Sequence, residues 1–146
     1  MVAHRAELGQ GLPIDRRRRR SLPVESVILD DEAVCLFEDG RPDFHALRSR
    51  QACRDARLIA YDLLALNDQD LRNLPLLERR TRRADLLSGH NALWFSSNVQ
   101  GAQGAAHRRA CAMGLEGIVS KRIDAHYRSG PFLGWRKIKC PGYVRP

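Results

Sequence analysis

EGIVSKRIDAHYRSGPFLGWRKIKC, residues 116–140, is the stretch whose reading decides the fold. It opens on an apolar run, Glu116 to Ile123, and closes on an alternating run, Gly134 to Cys140. The irregular stretch Asp124 to Leu133 joins the two, so the whole reads as strand, connector, strand. Side chains alternate across a strand, which puts Trp135, Lys137 and Lys139 on one face and Ile138 on the other. Two ammonium groups about 7 Å apart on one face can bracket the phosphates of a nucleotide. The same pair would equally protect an exposed strand edge. Glu116 and Lys121 lie at the two ends of the first run. A carboxylate facing the cleft of the lysines could hold Mg²⁺ on a triphosphate, since that ion takes oxygen ligands and few of them from protein. The competing reading is a strand flanked by solvated charges.

Upstream of this stretch, Gln103 to Met113 reads as a helix that Gly114 stops in a left-handed cap. Ala92 to Ser97 is a short strand. Pro75 stands where a helix begins, and Leu76, Leu77, Arg80 and Ala84 through Leu87 fit one apolar face of it. Arg57 to Leu66 is a buried strand closed by Asn67-Asp68, and its one aromatic, Tyr61, is either a core residue or a platform for a purine. Asp43 caps a short helix running to about Arg50. Val27 to Phe37 is a strand ending at the turn signal Glu38-Asp39-Gly40. Acids interrupt it at Asp30-Asp31-Glu32, with Asp30 and Glu32 on one face; a metal, a partner or a reverse turn would each account for them. Strands and helices are mixed but strand-turn-strand connections recur. The expected fold is therefore α+β with antiparallel sheets flanked by helices, not a doubly wound parallel sheet.

The 146 residues have room for one domain with a single core, and 43% hydrophobic content suffices to build it. A formal charge of +8 points to a polyanionic partner, although a solvated basic surface would show the same charge. The only lysines are Lys121, Lys137 and Lys139 in an otherwise arginine-rich chain, which suggests positions where a compact ammonium is wanted. Cys35, Cys53, Cys111 and Cys140 are scattered, and His4, His45, His90, His107 and His126 add no short ligand spacing. Reduced, buried thiols and no zinc site are expected. No apolar run approaches a membrane span, and the first thirty residues hold no apolar stretch that could act as a signal peptide, so a soluble, cytoplasmic protein without membrane contact is expected. Residues 1–22, with five consecutive arginines from Arg16 to Arg20, read as a disordered basic segment, either a nucleic-acid-binding arm or sequence left by a displaced start.

The order of these clusters resembles the covalent nucleotidyltransferases, and within them the bacterial ATP-dependent DNA ligases of the end-joining kind. ILDDEAV (28–34) is similar to the family's LDGE strand. LIAYDLLALNDQDLRNLPLLERR (58–80) is similar to its aromatic-Asp-Leu-Leu segment and following helix. ACAMGLEGIVSKRIDAHYRSG (110–130) and WRKIKC (135–140) resemble its glutamate strand and terminal lysine strand. The resemblance runs from about residue 22 to 142. It implies an incomplete ATP-grasp-like nucleotidyltransferase domain over residues 23–142, followed by a 143–146 tail.

The implied activity is ATP-dependent sealing of nicked or broken double-stranded DNA through an enzyme-AMP intermediate, in DNA repair and recombination, with ATP and Mg²⁺ as cofactors. By position, Lys137 and Lys139 would contact the nucleotide phosphates and offset charge in the transition state. Lys121 would line the phosphate side, Tyr61 would stack on adenine, and Glu32 would bind the ribose or the metal. Glu116 would bind the metal, and Arg128 would contact the DNA backbone.

The departures carry as much weight. The family's nucleophile lies in Lys-x-Asp-Gly-x-Arg, upstream of the LDGE strand, and here no lysine precedes Lys121. Arginine stays protonated and cannot replace it. Asp31 stands where the family has glycine, Tyr61 where phenylalanine is usual, and Pro131 where arginine is common. The expectation is a catalytically incomplete adenylation domain, truncated at its N-terminus, without the OB-fold domain and marginally stable alone. The alternatives are a non-catalytic nucleic-acid-binding protein, or one half of a split ligase whose separate partner chain supplies the missing motif and the OB-fold.

Overall fold

The computed structural model describes residues 22–38, 43, 46, 56–89, 93–95 and 103–144. The central strand β2 (Arg57–Leu66) is the most deeply buried element, with Leu58, Ala60, Asp62, Leu63 and Leu64 all inside. Strand β1 (Val27–Val34) pairs antiparallel with β2 along its whole length. The pairing shifts register between Ile28 and Leu29 and again between Asp30 and Asp31. The acids thus lie within a continuous strand and make no reverse turn; irregular pairing absorbs the disturbance that Asp30-Asp31 suggested.

Asn67 and Asp68 both have positive φ (46° and 64°), a conformation short polar side chains tolerate, and they turn β2 into β3 (Gln69–Asp70). Ser26 steadies this turn: its carbonyl accepts from the Asn67 N–H and its hydroxyl oxygen accepts from the Asp68 N–H.

Helix α1 (Leu76–Leu87) follows Pro75, where the sequence indicates a start. Its buried face is Leu76, Arg79, Arg83 and Leu87; of the expected face Leu76, Leu77, Arg80 and Ala84–Leu87, Leu76 and Leu87 are buried, whereas Leu77 is exposed and Arg79 and Arg83 take the inward positions. Two arginines can face inward because β2 offers them acceptors. The chain then crosses to β4 (Leu93–Phe95), which pairs parallel with β2. Among the described residues the other strand pairs are antiparallel, as expected; this one parallel pair arises because a strand-helix-strand crossover returns the chain in its original direction.

Helix α2 (Gln103–Ala112) stops as the sequence indicates. Gly114 has φ +70°, its N–H donates to the Cys111 carbonyl, and the Leu115 N–H donates to the Ala110 carbonyl. This is the glycine-terminated double hydrogen bond that closes many helices. Strands β5 (Gly117–Lys121) and β6 (Trp135–Lys139) form a separate antiparallel pair, with α2 packed on β5.

The core gathers Leu22, Leu29, Leu58, Ala60, Leu63, Leu71 and Leu87. Each leucine so buried contributes about 1.5–3 kcal/mol. Leu22, on the expected boundary of the basic segment, belongs to this core. That segment's residues 1–21, the Glu38-Asp39-Gly40 turn beyond Glu38 and most of the helix expected after Asp43 lie outside the described residues. At Asp43 itself, the side chain accepts from the Ala46 N–H, the bond expected of a helix cap.

The two sheets are tied together by the connector after β5. The Leu76 and Leu77 N–H groups, orphaned at the start of α1, donate to the carbonyls of Ala125 and Ile123. The Tyr127 N–H donates to the Arg72 carbonyl. Among the described residues no helix is long and apolar enough to cross a membrane.

Cys35 is buried as expected, but Cys111 and Cys140 are joined in a disulfide, which corrects the expectation of reduced thiols. Twenty-nine residues separate them in sequence. Helix α2 and the end of β6 bring them together, and no local spacing could have announced it.

Candidate functional site

Sheet register decides which side chains share a surface. In the β5–β6 pair, Lys121 lies opposite Trp135, Val119 opposite Lys137 and Gly117 opposite Lys139. These six positions form one face; Ile118 and Ile138 pair on the other. Gly117 is required at its place. Its φ is +152°, and a Cβ there would collide with the Ile138 carbonyl and the Lys139 backbone. That close approach lets Glu116, immediately before β5, reach the lysine face: its Oε1 lies 2.7 Å from Lys137 Nζ and 3.7 Å from Lys139 Nζ. The Cys140 N–H donates to the Glu116 carbonyl and closes the ladder behind them.

Lys121 connects this face to the larger sheet. Its ammonium sits 3.8 Å from the centroid of the Trp135 ring and 6.0 Å from that of Tyr61. Both rings offer the negative face of their π-system to the cation. Burial pulls the Lys121 pKa below its ordinary value, while the carboxylates of Asp62 and Asp30 oppose that shift. On β2 the Tyr61 hydroxyl donates to Glu32 Oε2 at 3.0 Å. Burial, and then the Glu32 carboxylate, push the Tyr61 pKa upward, so its hydroxyl remains a proton donor. Asp30 is buried, its Oδ2 has no hydrogen-bond partner among the described residues, and burial raises its pKa against the pull of Lys121.

The residues singled out in the sequence therefore gather in two linked groups: Glu116 with Lys137 and Lys139, and Lys121 with Tyr61 and, through the tyrosine hydroxyl, Glu32. Arg128 is not in either group. It lies exposed on the β5–β6 connector, 5.8 Å from the centroid of the Phe132 ring.

Sequence reasoning placed Trp135 on the lysine face but did not give it a partner; that it faces Lys121 follows only from the strand register. The ion pair behind the site was also missed. Arg79 forms a forked contact with Asp62, Nε to Oδ1 at 2.9 Å and Nη2 to Oδ2 at 2.7 Å, with both side chains fully buried. Arg79 Nη1 donates to the carbonyls of Leu74 and Ala125, and Arg83 donates to the carbonyl of Tyr61. These bonds fix the strand that carries Tyr61 and the connector that carries Arg128. An acid at position 62 within an apolar strand was the available signal.

The arrangement offers a half-buried aromatic ring, three ammonium groups and two carboxylates along one continuous surface. Oxygen donors beside ammonium groups suit a phosphate-bound divalent cation, which needs only one or two protein carboxylates.

A family model described as ATP dependent DNA ligase domain matches residues 14–139. The chain is 36% identical over 150 residues to the multifunctional non-homologous end joining protein LigD of Pseudomonas aeruginosa, covering 92% of this chain and 18% of that protein. It is 35% identical over 135 residues to a probable DNA ligase of Streptomyces coelicolor, covering 82% of this chain and 26% of that protein. The chain thus spans 18% and 26% of the lengths of these two curated relatives. Among solved structures, the ligase domain of LigD from M. tuberculosis superposes with a TM-score of 0.66 at 30% identity, over 77% of this chain and 37% of that one. A mycobacterial DNA ligase D complexed with ATP and MES gives the same TM-score and identity, over 77% of this chain and 38% of that one.

Proposed function

The chain belongs to the ATP-dependent DNA ligase family, and from that premise we propose that residues 23–142 are the nucleotide-gripping part of an adenylation domain, the portion that holds ATP and Mg²⁺ while another segment supplies the nucleophile. The observation that carries this reading is Lys121, whose ammonium lies against both Tyr61 and Trp135 and so joins an aromatic platform to a face bearing two further ammonium groups. Adenine stacks on the Tyr61 ring, which its hydrogen bond to Glu32 holds in orientation. Glu32 takes the ribose or the metal. Lys121, Lys137 and Lys139 hold the phosphates and offset charge that develops on them. Glu116, whose carboxylate lies within ion-pair distance of Lys137 and Lys139, would hold Mg²⁺ on the phosphates that those lysines contact. Arg128 contacts the DNA backbone.

The ligase to which this segment belongs seals nicked or broken double-stranded DNA through an enzyme-AMP intermediate, in repair and recombination; its Pseudomonas aeruginosa relative is named for non-homologous end joining. No lysine among the 146 residues stands in a Lys-x-Asp-Gly-x-Arg motif. By itself this polypeptide binds nucleotide without becoming adenylated, because the nucleophilic lysine comes from outside these 146 residues, in the same chain or a separate one. Fluorescence titration with an ATP analogue and Mg²⁺ tests the grip, and intact-mass measurement tests the chemistry. Saturable binding that weakens roughly tenfold or more in Lys137→Ala is expected, with no mass gain of one AMP. Absence of binding, or binding indifferent to Lys137→Ala, refutes the assignment of the lysine face. An AMP adduct refutes the stated need for a supplied nucleophile.

The +8 charge supports a second reading, a non-catalytic nucleic-acid-binding protein. It requires DNA binding that falls steeply with salt and does not respond to nucleotide.

A further inference from the structure

His107, Cys111 and Cys140 lie outside the surface described above, yet the fold brings their ligand atoms within 4.8 Å of one another. His107 and Cys111 are one turn apart on α2 and so lie on the same helix face. Cys140, the buried residue directly after β6, meets them from the sheet. We propose that, with the Cys111–Cys140 disulfide reduced, these three side chains bind one soft divalent transition-metal ion of the zinc class, through two thiolates and one imidazole, with a fourth position left to water or another ligand.

Distance supports this directly. His107 Nε2 lies 3.6 Å from Cys111 Sγ. A tetrahedral ion bound at about 2.0–2.1 Å to nitrogen and 2.3 Å to sulfur holds such a pair about 3.5–3.6 Å apart. One edge of the coordination tetrahedron is therefore already set. The remaining change falls on the sulfurs, which, now bonded, must separate to about 3.8 Å, the edge for two zinc-bound thiolates. His107 Nε2 also faces the Lys139 carbonyl at 3.1 Å, a contact that metal ligation through Nε2 replaces. Two thiolates neutralise a divalent ion, so the loaded site adds no net charge to a chain that is already basic. The donor set, sulfur and nitrogen with no carboxylate, selects zinc-class ions over Mg²⁺.

The chemistry balances in two stages. A dithiol reductant gives the disulfide two electrons and two protons, forming two thiols and its own disulfide. The divalent ion then displaces both thiol protons as it binds. The oxidised and metal-loaded forms are alternative fastenings of α2 to the residue that follows Lys139. The proposal does not depend on nucleotide binding.

Anaerobic titration of the full chain with Co²⁺, after reduction with a phosphine, tests the site. One equivalent should generate a thiolate-to-cobalt charge-transfer band, one equivalent of Zn²⁺ should abolish it, and the unreduced chain should not develop it. The band should persist in Cys35→Ser/Cys53→Ser and vanish in Cys140→Ser, with affinity in His107→Ala reduced roughly tenfold or more. Helical circular dichroism confirms that each variant is folded before titration. No band in the reduced chain, an undiminished band in Cys140→Ser, or loss of the band in Cys35→Ser/Cys53→Ser overturns the proposal.

Discussion

Two groups of charges with the same chemistry sit in opposite surroundings. Between β2 and α1, Asp62 and Arg79 form a forked pair with both side chains at 0% exposure. Beside β5 and β6, Glu116 pairs with Lys137 and Lys139, whose side chains are 25%, 47% and 71% exposed respectively. The first pair has no water to fall back on, so neither member can leave without stranding the other. The second exchanges with solvent at little cost, so a phosphate or a metal ion can take either member's place. Buried charge fastens this fold, and exposed charge remains able to exchange partners.

The difference is tested most severely by Arg79→Ala. Leaving Asp62 ionised and unpaired should cost about 3–5 kcal/mol, a large part of the stability of an ordinary domain. Urea unfolding followed by circular dichroism reads the loss, and a cost under about 1 kcal/mol would erase the distinction between the two groups. Gly117→Ala should come next, at about 1–3 kcal/mol, because alanine is strained at this positive φ and its Cβ meets the backbone of β6. The same variant should weaken nucleotide binding, since Glu116 and the lysines depend on that close pairing; an unchanged affinity would detach the site from the hairpin geometry.

Asp30 sharpens the comparison through pH. Burial raises its pKa, so the folded chain keeps a proton at pH values where the unfolded chain has lost it. The stability contributed by that proton is present below the ordinary carboxylate pKa and is lost as pH rises through the raised value. Asp30→Asn should therefore be more stable than the parent at neutral pH, with the gap closing as pH falls into the ordinary carboxylate range. Denaturant melts at a series of pH values check this, and a gap that widens on acidification contradicts the sign. The smallest effect on stability is expected from Glu116→Gln, within about 1 kcal/mol of the parent, while Mg²⁺-dependent nucleotide binding falls. A large loss of stability there would make Glu116 a structural residue and remove it from the proposed site.

Much of the frame was legible. Arg57–Leu66 is a strand with the bounds its apolar run suggested, and Gly114 ends α2 by the bonding its position implied. Trp135, Lys137 and Lys139 follow from a period of two along β6. The buried face of α1 was not legible, because Arg79 and Arg83 look solvent-facing until Asp62 and the carbonyl of Tyr61 are set against them. The parallel pairing of β4 depends on where the crossover helix returns the chain. The meeting of Cys111 with Cys140 depends on how α2 docks beside β6.

By itself the sequence determined most strands, the helix ends and the chemical character of the lysine face, because propensity, capping and side-chain alternation act between near neighbours along the chain; its motifs, by resemblance, pointed to the family. The tertiary structure alone decided which charges are buried, that Lys121 lies between Tyr61 and Trp135, and that His107 joins two distant cysteines. Those outcomes rest on partners far apart in sequence, and only packing sets the distance and dielectric between them.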